Sequence, residues 1–367
     1  MTNPLFSPYT LKTLDLPNRI VMAPMTRSFS PDGIPGEDVA DYYARRAANH
    51  VGLIVTEGTN PDRKASGNDA NVPKFYGDAL DGWKRVVERV KAEGGRIAPQ
   101  LWHVGMMRKP GTGHYPDVAS DSPSGRTHTG KAVMDPPNDE DIADMVASYS
   151  RSAASAKELG FDAIEIHGAH GYLIDQFFWD VMNVREDRFG GGLADRATFA
   201  GDVIRECRKA VGPDMPIIIR ISQWKQQDFS ARLAETPEEM ERWLSVFADA
   251  GVDCLHCSQR RFWEPEFPDH DGGLDLNFAG WAKKLTGLPT ITVGSVGLSS
   301  DFIGAFQGEN SQARSLDDLI ERLDKCEFDL VAVGRALLQD PEWATKVKDG
   351  RENELRDYDA KSLETLY

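Results

Sequence analysis

The sequence predicts an α/β protein, a single (β/α)8 TIM barrel with an N-terminal hairpin cap and long insertions in the loops that follow its strands. Three observations carry that expectation. Eight short apolar runs rich in Ile and Val recur along the chain, and stretches of helical period separate them. Polar and special residues gather at the C-terminal ends of the runs, where barrels carry their chemistry. An open, doubly wound sheet also alternates strand and helix, but eight evenly spaced units favour closure.

Residues 1–18 precede the first run and suit a small hairpin over the barrel floor. The runs are 19–23, 52–57, 96–103, 161–167, 216–222, 252–258, 289–294 and 328–334. Each has the length of a buried parallel strand and lacks clean alternation, as a strand covered on both faces does. Between them, Leu80, Trp83, Val86, Val87 and Val90 form an i, i+3, i+4 stripe that stops at Gly94-Gly95. The stretch 139–159 reads the same way and ends at Gly160, a C′ glycine. Thr236-Pro237-Glu238-Glu239 offers an N-cap, a proline at N1 and a capping-box Glu. Ser315 opens the seventh helical unit in similar style. No linker divides the chain, so residues 1–367 read as one domain, with the barrel over 19–348 and a tail over 349–367. Two irregular stretches, 104–138 and 259–274, follow the third and sixth runs and are lid or substrate-loop candidates.

Composition narrows the function. Forty-two Lys and Arg against 58 Asp and Glu leave a net charge of −16. That field repels nucleic acid and anionic membrane surfaces, so neither is an expected partner. A mean hydropathy of −0.45 argues against a membrane-spanning class. Four cysteines are too few for a disulfide scaffold. Cys254 and Cys257 have C-x-x-C spacing, but in a strand residues three apart point to opposite faces, so all four cysteines read as core residues. The first residues have neither an apolar h-region nor transit-peptide character, and a cytoplasmic protein is expected.

The chemistry-bearing residues stand at the strand ends. Ala23, Pro24, Met25 and Thr26 follow the first run, Glu57 and Gly58 the second, and Gln100, Trp102 and His103 close the third. The fourth runs into His167-Gly168-Ala169-His170-Gly171-Tyr172, and the fifth carries Arg220. Gly294-Ser295 and Gly334-Arg335 end the seventh and eighth. Barrels bind phosphate near these last two loops: glycines let backbone N–H groups approach, and Arg335 adds a fork of donors. A phosphorylated ligand is expected. Arg220 inside an apolar run needs a ligand anion or a structural carboxylate to answer its charge.

In order from residue 5 to about 345, these pieces resemble the Old Yellow Enzyme family of FMN-dependent ene-reductases. The motifs are residues 23–26, 57–59, 100–103, 167–173 and 333–335, with Asn183-Val184-Arg185-Glu186-Asp187-Arg188-Phe189-Gly190-Gly191 similar to the stretch after the family's fourth strand. The resemblance implies tightly but non-covalently bound FMN, NAD(P)H as hydride donor, and a small enone or nitro compound as substrate, in a monomer or homodimer. Ala23, Pro24, Met25, Gly58, Gly294, Ser295, Gly334 and Arg335 then belong to the cofactor site. Thr26 matches the hydroxyl near the flavin O4, and also a substrate contact. Gln100 matches the amide that reads the pyrimidine edge, and Arg220 the cation near N1 and O2. His167 and His170 match the pair that binds the substrate's electron-withdrawing oxygen, Tyr172 the proton donor, and Trp102 a residue shaping the substrate pocket.

Plainer readings stand beside these: a capping hydroxyl for Thr26, core packing for Trp102 and Tyr172, and a metal pair in a barrel hydrolase for His167 and His170. A dienoyl-CoA-reductase or amine-dehydrogenase-like relative would add a cysteine-ligated cluster, for which the cysteines are too few. Phe262 and Trp263 suit an aromatic wall over the substrate. Met106-Met107 stand where the family often carries Arg, and Asp195-Arg196 where it has an Asn-Arg pair. The tail Arg356–Tyr367 replaces the family's usual run of aromatic and glycine residues after the last strand, which puts a substrate contact from it in doubt.

Overall fold

The structure, a computed structural model, describes residues 3–270, 272–301, 304 and 309–367. A hairpin of β1 (Tyr9–Leu11) and β2 (Leu14–Leu16) comes first. Eight parallel strands then close a barrel: β3 (Ile20–Met22), β4 (Leu53–Thr59), β5 (Ile97–Leu101), β6 (Ile164–His170), β7 (Ile217–Lys225), β8 (Cys254–Ser258), β9 (Thr290–Val293) and β10 (Leu330–Val333). The last pairs back onto the first, Val331 opposite Ile20.

Helices cover the outside: α1 (Glu37–Ala48), α2 (Ala79–Ala92), α3 (Asp139–Glu158), then α4 (Leu173–Phe178), α5 (Leu193–Arg196) and α6 (Thr198–Val211) together after β6. They continue with α7 (Pro237–Ala250), α8 (Phe278–Thr286), α9 (Asp317–Asp324), α10 (Arg335–Gln339) and α11 (Trp343–Lys348). The local signals explain their bounds. Trp83, Val86, Val87 and Val90 are the buried stripe of α2, and each such side chain stabilises by about 1.5–3 kcal/mol. Asn138 and Asp141 form a reciprocal capping box at the start of α3. Thr236 Oγ1 accepts from the Glu239 N–H at 3.3 Å to open α7, and Gly251 ends it at φ +96°.

Strand parity sorts the core into two shells. Ile164, Ile166, Ile217, Ile219 and Cys257 face outward, under the helices. Val21, Leu53, Ala98, Ala163, Ile218, Cys254, Ile291 and Leu330 face inward, and Leu11, Leu14 and Leu16 of the hairpin pack against them as a floor. Cys254 and Cys257 thus lie in different shells, as a regular strand requires. Cys326 departs from the expectation: it is exposed, in a turn at φ +59°, because it falls beyond the end of α9.

One irregularity positions the site. Between β6 and β7 the register runs His167 to Arg220 and Gly168 to Ile221, then jumps to His170 opposite Lys225. His170 is left-handed at φ +65°, a conformation that non-glycine residues seldom adopt.

Candidate active site

A cavity of about 480 Å³ opens at the C-terminal mouth of the barrel. All fifteen side chains and glycines expected at the site, from Ala23 after β3 to Arg335 after β10, line it. Above the apolar floor the barrel interior turns polar on four neighbouring strands. Gln100 pairs in register with Glu165, and Arg220 with His256. Gln100 Nε2 donates to Glu165 Oε1 at 2.8 Å, and the His256 Nδ1 lies 2.6 Å from Glu165 Oε2. Glu165 and His256 are fully buried.

Charge in this layer follows from burial and from pairing. Burial pulls Arg220 down to about 10 while Glu165 opposes the shift, so the guanidinium stays charged at neutral pH. Burial alone would raise Glu165, but His256 and Arg220 more than cancel it and its carboxyl stays ionised. Among the described residues, Arg220 Nη2 reaches only Ser258 Oγ, at 3.4 Å, and its Nε is buried without a partner. Gln100 still offers its carbonyl oxygen, and Arg220 its Nε–H, to a ligand in the cavity.

Two imidazoles stand over this layer, ring centroids 5.1 Å apart. Burial, then Arg220, holds both His167 and His170 well below the ordinary histidine range, so both are neutral at pH 7. His170 stacks on Trp224 at 4.5 Å, and its Nε2 lies 2.9 Å from Ser258 Oγ. His167 Nδ1 has no partner among the described residues. The Tyr172 ring is 5.3 Å from His167 and meets Trp102 edge-on at 5.0 Å. Its hydroxyl donates to Gln226 Oε1 at 3.1 Å. Burial pushes the phenol up to about 12. Gly58 gives Trp102 its place, since a Cβ there would lie 2.6 Å from the indole ring. Among the described residues no third His, Cys, Asp or Glu joins His167 and His170 in an arrangement able to hold a metal.

At the opposite end, Ser295 is left-handed at φ +51° and its hydroxyl lies against the carbonyls of Arg260 and Ser300. Arg335 donates to the Asp301 and Ser300 carbonyls, so its guanidinium is fixed by the β9 loop it faces. Thr26 stands on the cavity wall with its hydroxyl bonded to no described protein atom, and it caps nothing.

Several expectations need correction. Phe262 and Trp263 make no wall: the loop turns outward after Gln259, Phe262 is buried in the outer core with its N–H on the Gly294 carbonyl, and Trp263 lies under Arg314 at 3.7 Å. Residues 104–138 do not reach the cavity either. Buried Arg108 binds the carbonyls of Gly67, Thr112, Tyr115 and Val118 and folds that stretch onto the neighbouring loop. Asn68, Asp69 and Val72, from the loop after β4, line the mouth instead. The tail, doubted as a contact, supplies Tyr358 and Leu363 to the cavity. Arg27 secures it by donating to the carbonyls of Ser362, Leu363 and Thr365. Glu165, His256 and Ser258 were also missed, although a Glu and a His at alternate inward positions of apolar strands are the same signal that marked Arg220.

A closed parallel barrel with a polar, partly unanswered donor layer under a deep mouth defines an enzyme of the TIM-barrel type. Residues 4–354 match the model of the NADH:flavin oxidoreductase / NADH oxidase family, and the chain belongs to that family. It is an NAD(P)H-dependent flavin oxidoreductase. The chain is 33% identical over 356 residues to chanoclavine-I aldehyde reductase fgaOx3 of Penicillium roqueforti, covering 94% of this chain and 89% of that protein. To the NADH oxidase of Thermoanaerobacter brockii it is 32% identical over 96% of its length, and it spans about half, 52%, of that relative. A solved structure of morphinone reductase in complex with tetrahydroNAD superposes with a TM-score of 0.79 at 28% identity, over 98% of this chain and 93% of that one. Among the described residues no helix is long and apolar enough to cross a membrane.

Proposed function

We propose that this protein is an FMN-dependent ene-reductase that takes hydride from NAD(P)H and saturates the activated C=C bond of α,β-unsaturated carbonyl or nitro compounds. The observation that carries the reading is the corner where two neutral imidazoles and a protonated phenol face one cavity above a buried guanidinium. The names of the chanoclavine-I aldehyde and morphinone reductases support it.

The residues suit FMN. Arg220 carries a buried, unpartnered Nε–H, and the cavity wall bears the exposed Thr26 hydroxyl. Gln100, with its Nε2 on Glu165, keeps its carbonyl oxygen as an acceptor that would suit a flavin ring N–H. Arg220 favours whichever ligand form bears negative charge. Ala23, Pro24, Met25 and Gly58 line the wall, while Gly294, Ser295, Gly334 and Arg335 would take the phosphate, without a covalent link. Bound there, FMN supplies the hydride that NAD(P)H brings.

The remaining chemistry belongs to the chain. Because His167 and His170 are neutral, each offers one N–H to a substrate oxygen without adding a buried positive charge, and the pair withdraws electron density from the conjugated alkene. Trp102 and Val72 exclude water from that side. Tyr172 holds its proton at neutral pH, passes it to the α-carbon, and recovers one from water at the mouth. Tyr172→Phe should slow alkene reduction by about 100-fold or more, the range of a lost general acid, while reduction of the bound flavin by NAD(P)H stays near the parent rate. Equal survival of both half-reactions would defeat the reading, as would purified protein that is colourless and cannot be reconstituted with FMN.

A further inference from the structure

Tyr172 shares its proton with a side chain that the proposed chemistry has not used. Strand β7 runs nine residues, Ile217–Lys225, four longer than β8 beside it. The excess carries it past the bulge and sets Lys225 opposite His170. A fully buried ion pair fastens this junction: Lys225 Nζ is 2.6 Å from Asp175 Oδ1, and Asp175 Oδ2 accepts the Gly171 N–H at 2.7 Å. The next residue, Gln226, donates its backbone N–H to the His170 carbonyl at 3.3 Å and turns its side chain into the cavity. Its Oε1 there accepts the Tyr172 hydroxyl at 3.1 Å. Gly171, at φ +81°, leaves room for the following side chain of this strand end, since a Cβ there would lie 2.0 Å from Gln227 Oε1. Tyr172 and Gln226 are thus held to each other by a turn fastened on a fully buried ion pair.

We propose that Gln226 is the positioning residue for the Tyr172 proton, holding the phenol while it is protonated and donating an amide N–H to the phenolate once the proton has gone. The proposal rests on Tyr172 as the donor. The chemistry of the amide is what recommends it. A carboxylate in this place would accept the hydroxyl equally well but repel the phenolate, and an apolar residue would leave the new charge unanswered beside the Trp102 edge. A primary amide carries an acceptor and donors on one soft terminal torsion, so a half-turn of its end exchanges them. The step balances: the O–H bond of Tyr172 breaks, a C–H bond forms at the α-carbon, and water at the mouth later returns a proton to the phenolate. Gln226 is neither protonated nor deprotonated.

The test compares Gln226→Leu and Gln226→Glu with the parent holoenzyme, following flavin reoxidation by 2-cyclohexenone in stopped flow. Both variants should slow reoxidation by about 10- to 100-fold, the range for one hydrogen bond to an ionised group, with Gln226→Glu losing at least as much as Gln226→Leu. The solvent deuterium isotope effect should rise, while flavin reduction by NAD(P)H and the affinity for saturated cyclohexanone stay within about twofold of the parent. In a Tyr172→Phe background, Gln226→Leu should cost nothing further. Gln226→Glu at the parent rate would show that accepting the hydroxyl is enough, and would overturn the donor step. An undiminished loss in the Tyr172→Phe background, or a loss matched by weaker cyclohexanone binding, would reduce Gln226 to a structural role and overturn the proposal. Tyr172→Phe reducing the enone at the parent rate would instead remove the donor reading on which it stands.

Discussion

Replacing Glu165 by Gln removes one negative charge from the dry interior of the barrel and almost nothing else. Gln keeps the shape and one carbonyl acceptor, so the hydrogen bonds to Gln100 and His256 are partly preserved. Arg220 is what suffers: buried, with an unpartnered Nε and one 3.4 Å contact to Ser258, it has Glu165 as the one carboxylate that opposes its loss of charge. Stranding a buried charge by removing its counter-charge costs about 3–5 kcal/mol. Because Glu165 contacts His256 and acts on Arg220 only through its field, and the hydrogen bonds are partly preserved, the lower end applies, about 3 kcal/mol. For 367 residues the unfolding entropy is about 0.8 kcal/mol per kelvin, so the melting temperature should fall by about 4 °C. Saturating FMN should restore part of that loss, because an electron-rich ring edge gives Arg220 a new partner. The penalty should also shrink as pH climbs toward 10, where Arg220 sheds its proton more readily than in the parent. Thermal denaturation with and without added FMN, repeated at steps from pH 7 toward 10, reads all three. A variant as stable as the parent, or one equally destabilised with and without FMN, would refute the reasoning.

Three further outcomes follow from neighbouring features. Gly58→Ala drives a methyl to 2.6 Å from Trp102 and should cost about 1–3 kcal/mol of overpacking, read as a lower urea midpoint; an unchanged midpoint would show that the indole yields freely. Burial raises Glu57 to about 7 against the backbone N–H groups of Arg27 and Ser28. The folded state therefore binds a proton there that the unfolded chain has lost, stability falls as pH rises from about 4.5 to 7, and the total approaches 3 kcal/mol. Glu57→Gln should flatten urea-derived stability over that window, and an unaltered slope would place the proton elsewhere. Lys225→Met strands the Asp175 carboxylate, buried on every side, and should cost about 3–5 kcal/mol in the same assay; a neutral result would mean that Asp175 takes up a proton at little cost.

The barrel was legible because each strand buries both faces and each helix signals its ends. Ile-rich runs and the stripe of α2 translate directly into elements. The cavity lining was legible for a related reason: strand-end residues reach one mouth whatever the loops do. What escaped depends on tertiary geometry. The aromatic pair at 262–263 looked like a wall, but hydrophobic loop residues pack wherever the chain turns, and here it turns outward. The tail looked unfit for contact on composition alone, whereas Arg27, buried beside the first βα loop, draws its carbonyls in and seats Tyr358 and Leu363. The His167–His170 and Cys254–Cys257 pairs share one spacing and end differently. The cysteines obey strand parity and part; the histidines escape it because a register jump and a left-handed residue turn the second ring back over the first. Nothing in the spacing alone separates those two outcomes.

That left-handed residue also restricts which letters the position can try. At φ +65°, β-branched and bulky side chains are strained, while Asn, Asp, His and Gly are tolerated. Of these four, His and Asn alone can present an N–H while carrying no charge. The backbone thus filters mutation before function does: it admits four residues at this bulge, and the need for an uncharged N–H leaves two of them. Diversification of substrate range in such a scaffold must come from elsewhere in the mouth, from loops like the one bearing Asn68 and Asp69, where the main chain imposes no such alphabet.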